Sequence, residues 1–254
     1  MVGERAGARG VEADARQALT DAGRAWEPLG RALAAYAAGD HAAEVRIRTD
    51  LGGVEVLPAA TFFRSVADMA KVEAAALAEA RGRVLDIGAG AGAHALALLA
   101  RGMAVTALEV LPEAVELMKR RGVADVRSAD EGPPAEVRFD TVFLLMNGAG
   151  IAGTLRALPG FLAGVSGYLA PGGQILLDST DPSGWEAAED GRYVGEVHYQ
   201  LEFEGARGCV YPFLYVDPRS LTMAARAAGL AAEVLVTQDD GRYLARLRLG
   251  DPLR

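Results

Sequence analysis

Three glycines and one acid form the clearest chemical signal in the chain. Gly88, Gly90 and Gly92 follow the apolar stretch 84–87, which contains Asp86. Glycines at a strand-to-helix turn let the backbone approach a ligand closely, and the helix that follows offers unpaired N–H groups and a positive dipole end. The segment therefore predicts a site for a nucleotide-like ligand.

Two cofactors fit this spacing differently. With Ala93 as its last position the loop approximates the glycine pattern of dinucleotide-binding proteins, and Glu109 lies where that pattern places a ribose-binding acid. The carboxylate of Asp86 would face a pyrophosphate unfavourably, whereas it suits the ammonium group of S-adenosylmethionine, which carries no phosphate. The spacing leaves NAD open, and the charge favours S-adenosylmethionine.

The elements that position the loop alternate between strands and helices from residue 82 onward. Such alternation is typical of right-handed βαβ units on a parallel sheet. We expect strands at 83–87, 104–108, near 126, and at 141–146, 174–178, 232–236 and 243–249. We expect helices ending at 99 and spanning 112–121, 155–169 and 220–229, with Pro171-Gly172-Gly173 ending the third.

Two further regions flank or interrupt this alternation. Residues 25–80 are predicted to be mainly helical, with a short hairpin at 45–54 and a helix from Ser65 to Glu79. Two aromatic-rich strands are predicted within 193–216, around a glycine-containing turn. We therefore divide the chain into a leader, helices and short hairpin at 1–80, which act as a lid, and an α/β domain at 81–254 with a hairpin insertion at 190–216. The leader, Met1 to about Thr20, is predicted to be loosely helical and lacks the apolar segment of a signal peptide.

From residue 82 to about 249 the chain resembles the class I S-adenosylmethionine-dependent methyltransferases. Their first motif, an acid followed by x-Gly-x-Gly-x-Gly, is matched at 86–92. Agreement continues with Glu109 ending the second strand, Asp130 after the third, Phe139-Asp140 opening the fourth, and Leu169-Ala170-Pro171-Gly172-Gly173 before the fifth. The resemblance implies a doubly wound, Rossmann-like α/β fold with a mostly parallel seven-stranded sheet whose last strand pairs antiparallel.

The resemblance also implies a cofactor site for S-adenosylmethionine. Asp86 and the glycine-loop backbone would hold the methionine part, and Glu109 would accept hydrogen bonds from the ribose hydroxyls. Adenine would pack against Val110 and Leu111, and Asp130 with the Ala129 backbone would bind its amino group. The implied cofactor-binding residues are Asp86, Gly88, Ala89, Gly90, Gly92, Glu109, Val110, Leu111, Ala129, Asp130 and Asn147.

Three residues are candidates for the catalytic side: His198, Tyr199 and Asn147. Asn147 ends the fourth strand, where the family places residues that face the methyl group. His198 and Tyr199 lie in the aromatic insertion, where a histidine would serve as a general base of near-neutral pKa. The alternative for His198 is a hairpin position that faces solvent, and the alternative for the aromatic residues is that they fix the hairpin to the sheet.

Other side chains near these motifs allow two interpretations each. His94, in the first turn after the glycine loop, would either contact the cofactor's carboxylate or cap and pack the helix. Phe62-Phe63-Arg64 would form a lid with Arg64 on a carboxylate, or a hydrophobic contact with a solvated arginine. Cys209 is predicted to be a buried small apolar residue rather than a nucleophile.

Composition restricts the partners. The net charge of −8 argues against non-specific binding to nucleic acid or to an anionic membrane, and the departure of 146–150 from Asn/Asp-Pro-Pro-aromatic disfavours nucleic-acid bases as acceptors. The single cysteine indicates a reducing, cytoplasmic location, and the scarcity of lysine indicates a bacterial genome rich in G and C. No metal site is predicted, and the oligomeric state is left open.

The expected reaction is a direct in-line displacement, in which an O, N, S or C nucleophile of a small-molecule acceptor takes the methyl group of S-adenosylmethionine. The protein would supply proximity, alignment and exclusion of water, with a base only for a protonated acceptor. Two alternatives from other classes stay open, a nicotinamide-dependent oxidoreductase and a non-catalytic protein that binds S-adenosylmethionine.

Overall fold

The structure is a computed structural model that describes residues 22–186 and 190–250, so the predicted leader lies outside the described residues. The strands are β1 (Glu44–Thr49), β2 (Val54–Pro58), β3 (Val84–Ile87), β4 (Val105–Glu109), β5 (Asp125–Ser128), β6 (Phe139–Leu144), β7 (Leu169–Thr180), β8 (Glu196–Phe203), β9 (Ala206–Arg207), β10 (Tyr211–Leu214), β11 (Leu230–Thr237) and β12 (Arg242–Leu249). The α-helices are α1 (22–37), α2 (Lys71–Glu79), α3 (Ala93–Ala100), α4 (Pro112–Arg120), α5 (Leu158–Ser166) and α6 (Pro218–Ala227). None of the described helices is long and apolar enough to cross a membrane.

A seven-stranded sheet forms the centre of the fold, in the order β11-β12-β7-β6-β3-β4-β5. The run from β7 to β5 is parallel, and β12 pairs antiparallel with both β7 and β11. The predicted doubly wound α/β fold with an antiparallel last strand is therefore confirmed. All parallel strands end at one edge, where ligands bind in open α/β sheets.

Helices cover both faces of this sheet because successive strand residues point to opposite sides. In β6, Val142 and Leu144 pack in a core with α5 and α6, whereas Phe143 between them packs in a second core with α2, α3 and α4. Ile175 and Leu176 of β7 divide in the same way. These runs are apolar at every position because both of their faces are buried.

A second, smaller sheet is built from two segments that are distant in the chain. Its order is β10-β8-β1-β2, with β9 also paired to β8, and all of its pairs are antiparallel. Glu204 and Gly205 both have positive φ, 48° and 79°, as a two-residue type I′ hairpin turn requires. The two predicted hairpins are thus present, and they pair with each other through β1 and β8. The inner face packs against α1, against Ala91 of the glycine loop and against Leu111 at the start of α4.

Three predicted features differ from the structure. Helix α2 begins at Lys71 rather than Ser65, because the Glu73 carboxylate accepts the Ala70 N–H at 3.0 Å and fixes the first turn there. Helix α5 ends at Ser166, so Pro171-Gly172-Gly173 does not terminate it; a Cβ on Gly173 would lie 2.8 Å from the Phe139 carbonyl oxygen, and glycine permits that close strand contact. Cys209 is exposed, not buried.

Candidate functional site

A pocket opens where β3 and β6 end, at the edge of the large sheet that the smaller sheet overhangs. The glycine loop forms one side of it, and the residues after β6 and a 3-10 segment at 59–62 form the other. Its lining residues are Phe62, Asp86, Gly88, Ala89, Gly90, Ala93, His94, Leu145 and Met146. Four of the implied cofactor-binding residues, Asp86, Gly88, Ala89 and Gly90, are therefore in this lining.

The three glycines of the loop all adopt positive φ, but they face different surroundings. Gly88 has a φ of 73° and Gly90 a φ of 56°, and a Cβ on Gly90 would lie 3.1 Å from Cδ1 of Phe62. A Cβ on Gly92, at φ 82°, would lie 2.9 Å from Cγ of Met118 in α4. Gly88 and Gly90 thus shape the pocket, whereas Gly92 lets α3 begin close to α4.

Asp86 is a buried acid without a partner. The residue is 2% exposed, and its buried Oδ2 atom has no hydrogen-bond partner among the described residues. Burial raises the pKa of this carboxyl group because the charged form loses water, and the charge interaction with His94 opposes the rise. A buried polar atom that lines a pocket and lacks a donor is the position that a ligand cation would fill.

Glu109 has the opposite environment, although it ends the neighbouring strand. Its Oε2 accepts the Gly90 N–H at 2.7 Å, and its Oε1 accepts the N–H groups of Val110 at 2.7 Å and Leu111 at 3.1 Å. Burial still raises the pKa of Glu109, and these N–H groups oppose the rise. An ionised carboxylate offers about four lone-pair sites, so some capacity is left for a ribose hydroxyl. Glu109 does not line the pocket.

The other implied adenine-side residues also lie outside the lining. Val110 and Leu111 pack with the core under the smaller sheet. The Ala129 N–H bonds to the Glu109 carbonyl oxygen at 2.9 Å, and the exposed Asp130 accepts a hydrogen bond from the Ser128 hydroxyl. Together these contacts hold the loop after β5 against the end of β4.

The chain is strained where β6 meets the pocket. Met146 and Asn147 have φ values of 63° and 60°, in the left-handed region that residues with side chains rarely adopt. Asp178 of β7 supports this turn, since its Oδ1 accepts the Asn147 N–H at 2.9 Å and the Gly148 N–H at 3.4 Å. The Asn147 amide oxygen accepts the Thr180 hydroxyl at 2.9 Å. Asn147 is therefore held beside the pocket, and Met146 is the residue that lines it.

A buried ionic cluster stands behind the pocket wall. Nε2 of His94 lies 2.7 Å from Oε1 of Glu73, and the Arg64 guanidinium binds the same carboxylate. Although burial opposes it, the contacts with His94 and Arg64 lower the pKa of Glu73 to about 2. The sequence points to His94 and Arg64 but not to Glu73, whose position three residues after Ala70 indicates only a helix start. The carboxylate that Arg64 binds is that of Glu73.

The predicted residues of the aromatic insertion lie away from the pocket lining. His198 is exposed on the outer face of the smaller sheet, with Nδ1 2.7 Å from Oδ2 of Asp50. Tyr199 lies on the inner face, its ring stacked on Phe213 at 4.7 Å and its hydroxyl bonded to that of Tyr215. Burial and the neighbouring Tyr215 hydroxyl raise the pKa of Tyr199. Neither residue lines the pocket.

Phe213 connects this aromatic cluster to the site. A Cβ on Gly150 would lie 2.1 Å from the Phe213 ring, and a Cβ on Gly88 would lie 3.5 Å from Ile151. The turn after β6 is thus packed between the inserted hairpin and the glycine loop.

Within the described residues no group of three or more His, Cys, Asp or Glu side chains is arranged to hold a metal ion.

Comparisons with known proteins give a consistent result. A family model described as a methyltransferase domain matches residues 62–234. The crystal structure of an S-adenosylmethionine-dependent methyltransferase from Bacteroides fragilis, in complex with S-adenosyl-L-homocysteine, is 35% identical, with a TM-score of 0.80 over 90% of this chain and 96% of that one. An S-adenosylmethionine-dependent methyltransferase from Clostridium acetobutylicum is 14% identical, with a TM-score of 0.56 over 73% of this chain and 94% of that one, and it shares the fold.

A curated relative gives a shorter match. The cypemycin N-terminal methyltransferase of a Streptomyces species is 28% identical over 109 residues. The match covers 41% of this chain and 44% of that protein, less than half the length of either.

Proposed function

Because this chain belongs to the class I S-adenosylmethionine-dependent methyltransferases, we propose that it transfers the methyl group to the amine nitrogen of a small molecule. Family membership also removes the two alternatives that the sequence left open, a nicotinamide-dependent oxidoreductase and a non-catalytic protein. The acceptor remains the part of the function that has to be argued from the site.

The residues around the pocket fit the cofactor. The unpartnered Asp86 carboxylate suits its ammonium group, and the positive-φ glycines of the loop leave room for its methionyl chain. Glu109 retains capacity for a ribose hydroxyl at the end of β4. S-adenosylmethionine supplies an activated methyl group on a sulfonium centre. The task of the protein is then to align the acceptor and to exclude water.

The observation that supports an amine is the apolar side of the pocket. Phe62, Leu145 and Met146 line it, and among the lining residues only Asp86 and His94 have ionisable side chains. An apolar environment favours the neutral form of an amine, which keeps its lone pair for attack without a protein base. An alcohol would need a base, and His94 is already bonded to Glu73. The Streptomyces relative is an N-terminal methyltransferase, which also supports nitrogen as the acceptor atom.

The charges near the site support a small molecule rather than a nucleic-acid strand. Arg64 is bound to Glu73, and the guanidinium of Arg121 lies 4.8 Å from the centre of the Phe63 ring. A polynucleotide would require an open row of cations and exposed aromatic platforms. The arginines near the pocket are instead engaged within the protein.

The test is a paired acceptor screen with S-adenosylmethionine labelled on its methyl group. Each small amine is matched with the alcohol of the same carbon skeleton, and products are detected by mass spectrometry. We expect labelled products from amines and none from their alcohol counterparts, with S-adenosylhomocysteine formed in equal amount. Methylation of alcohols without methylation of the matched amines would contradict the proposal.

A further inference from the structure

Two buried side chains, those of Asp86 and His94, line the same pocket from neighbouring elements of the fold. Asp86, in β3, presents a carboxylate atom without a donor. His94, in the first turn of α3, is 5% exposed and lines the same pocket. The pocket therefore offers a carboxylate that can bind a cation and an imidazole ring that can bind an anion. These two partners match the two charges of an amino-acid zwitterion.

We propose that His94 binds the carboxylate of the cofactor's methionyl group through Nδ1, while Asp86 binds the ammonium group. This inference rests on the proposed function, because it concerns how the methyl donor is held. It gives Glu73 the role of a positioning residue that sets the direction of the imidazole ring.

The ring orientation follows from Glu73. With a pKa of about 2 this carboxylate is ionised and can only accept, so Nε2 of His94 must carry the proton in their 2.7 Å contact. Among the described residues Nδ1 has no hydrogen-bond partner, and it is not a buried unsatisfied atom either. The free ring nitrogen is therefore the one that a ligand in the pocket can reach.

Two other features favour an anion at this position. Helix α3 spans Ala93–Ala100, and its first-turn N–H groups have no acceptor within the helix, so its positive end adds to the ring. A ligand carboxylate on Nδ1 and the Glu73 carboxylate on Nε2 would together hold the ring as imidazolium, which donates from both nitrogens.

Arg64 is the other basic residue near the pocket, and two of its donors are directed to acceptors within the protein. The guanidinium binds Glu73 and the carbonyl oxygen of Thr61. It thereby ties the 3-10 segment that carries Phe62 to the Glu73 carboxylate. Arg64 thus fixes the 3-10 segment beside the pocket, and His94 is the residue that binds the ligand carboxylate in this proposal.

The experiment compares two ligands and two matched variants by isothermal calorimetry on the full chain. The ligands are S-adenosylhomocysteine and its decarboxylated analogue, which keeps the ammonium group. His94→Gln retains a nitrogen at the distance of Nε2 and can still donate to Glu73, but it loses the donor at Nδ1. His94→Asn retains a nitrogen at the distance of Nδ1 and loses the Glu73 contact.

We expect the wild type to prefer the carboxylated ligand by about 10- to 100-fold, as a charge-assisted hydrogen bond provides. His94→Gln should reduce this preference to about 3-fold or less by weakening S-adenosylhomocysteine alone, and His94→Asn should retain part of it. Asp86→Asn is the control, because it should weaken both ligands and keep their ratio. Thermal melts of the free proteins check that each variant folds.

Equal weakening of both ligands in His94→Gln, with the wild-type ratio kept, would overturn the proposal and leave His94 a packing residue. A wild type without preference between the two ligands would overturn it as well. Failure of the wild type to bind either ligand would overturn the cofactor assignment itself, and this outcome is distinct from a change of ratio.

Discussion

Asp86 and Glu109 end adjacent parallel strands and are both buried, yet their surroundings differ. Glu109 accepts three backbone N–H groups, whereas Oδ2 of Asp86 accepts none. Asp178 is intermediate, since it accepts two N–H groups from the strained turn after β6. A buried carboxylate with several backbone donors shapes the loops that it bridges, and one without donors is available to a ligand.

The largest expected effect is on Glu109. Glu109→Ala leaves three backbone N–H groups without their acceptor, so we expect a loss of about 3 kcal/mol of unfolding free energy and a Tm lower by about 6–12 °C. If Glu109 also binds the ribose hydroxyls, as the family resemblance implies, its loss should lower the affinity for S-adenosylhomocysteine by at least about tenfold. Glu109→Gln, which keeps one acceptor oxygen, is the control and should lose less stability. An unchanged Tm in the alanine variant would show that the loop does not depend on this acid.

Asp86→Asn should have a different effect from Glu109→Ala, because it should weaken ligand binding without lowering stability. The variant loses a charge-assisted bond of about 2–3 kcal/mol to the ligand, so calorimetry should show affinity for S-adenosylhomocysteine reduced by about 30- to 150-fold. The free protein should melt at the same temperature or slightly higher, because a buried carboxylate without a donor is removed. A marked fall in Tm with normal affinity would place Asp86 with Glu109 rather than opposite to it.

Asp178 extends the comparison, because its protonation should make the unfolding free energy depend on pH. Burial raises its pKa to about 7, and the Gly148 and Asn147 N–H groups oppose the rise. Between about pH 4 and 7 the folded protein keeps a proton that the unfolded chain has lost, so the unfolding free energy falls as pH rises and levels off above pH 7. Relative to Asp178→Asn, the wild type should lose about 2 kcal/mol between pH 5 and pH 7 in chemical denaturation. Parallel pH profiles of the two proteins would contradict this assignment.

The smallest effect is expected from replacing His198, an exposed residue that pairs with the Asp50 carboxylate. Asp50 pairs with His198 and Arg192 on the outer face of the smaller sheet, and such surface pairs contribute about 0–1 kcal/mol. We therefore expect His198→Ala to change neither the affinity for S-adenosylhomocysteine nor the turnover of an amine acceptor by more than about twofold. A loss of turnover of tenfold or more at normal affinity would instead support the general-base role that the sequence suggests.

The sequence predicts the large sheet well because its signals are local. The glycines after β3 and the apolar runs of β6 and β7 are each complete within a few residues, whereas the seven-stranded sheet with its antiparallel last strand is what the family resemblance implies. The pairing of β1 with β8 was missed, since alternation within each hairpin does not specify which edge strand it will meet.

The candidate site is predicted only in part, because some of its residues have a local sequence signal and others do not. Asp86 is detectable because it stands at a fixed offset from the glycines. Glu73 and Asp178 carry no such signal, because one resembles an ordinary first-turn acid of a helix and the other ends an apolar strand. Their importance comes from neighbours that are distant in sequence, His94 and the turn at Asn147. Exposure of His198 depends on which face of β8 turns outward, and strand alternation alone does not specify it.

The pairing of β1 with β8 also bears on the order of folding. The paired strands of the large sheet are closer along the chain than β1 and β8 are, and Glu44–Thr49 cannot complete its sheet until Glu196–Phe203 has been synthesised. Pairing such distant segments costs more loop-closure entropy than pairing nearer ones, so β1 and β8 are expected to pair later. Until then the edge of β1 and the apolar inner face beside Ala91 are open to other chains, which is the condition that favours aggregation. A ligand that binds where the glycine loop packs against the smaller sheet therefore favours molecules in which the two distant segments have already met.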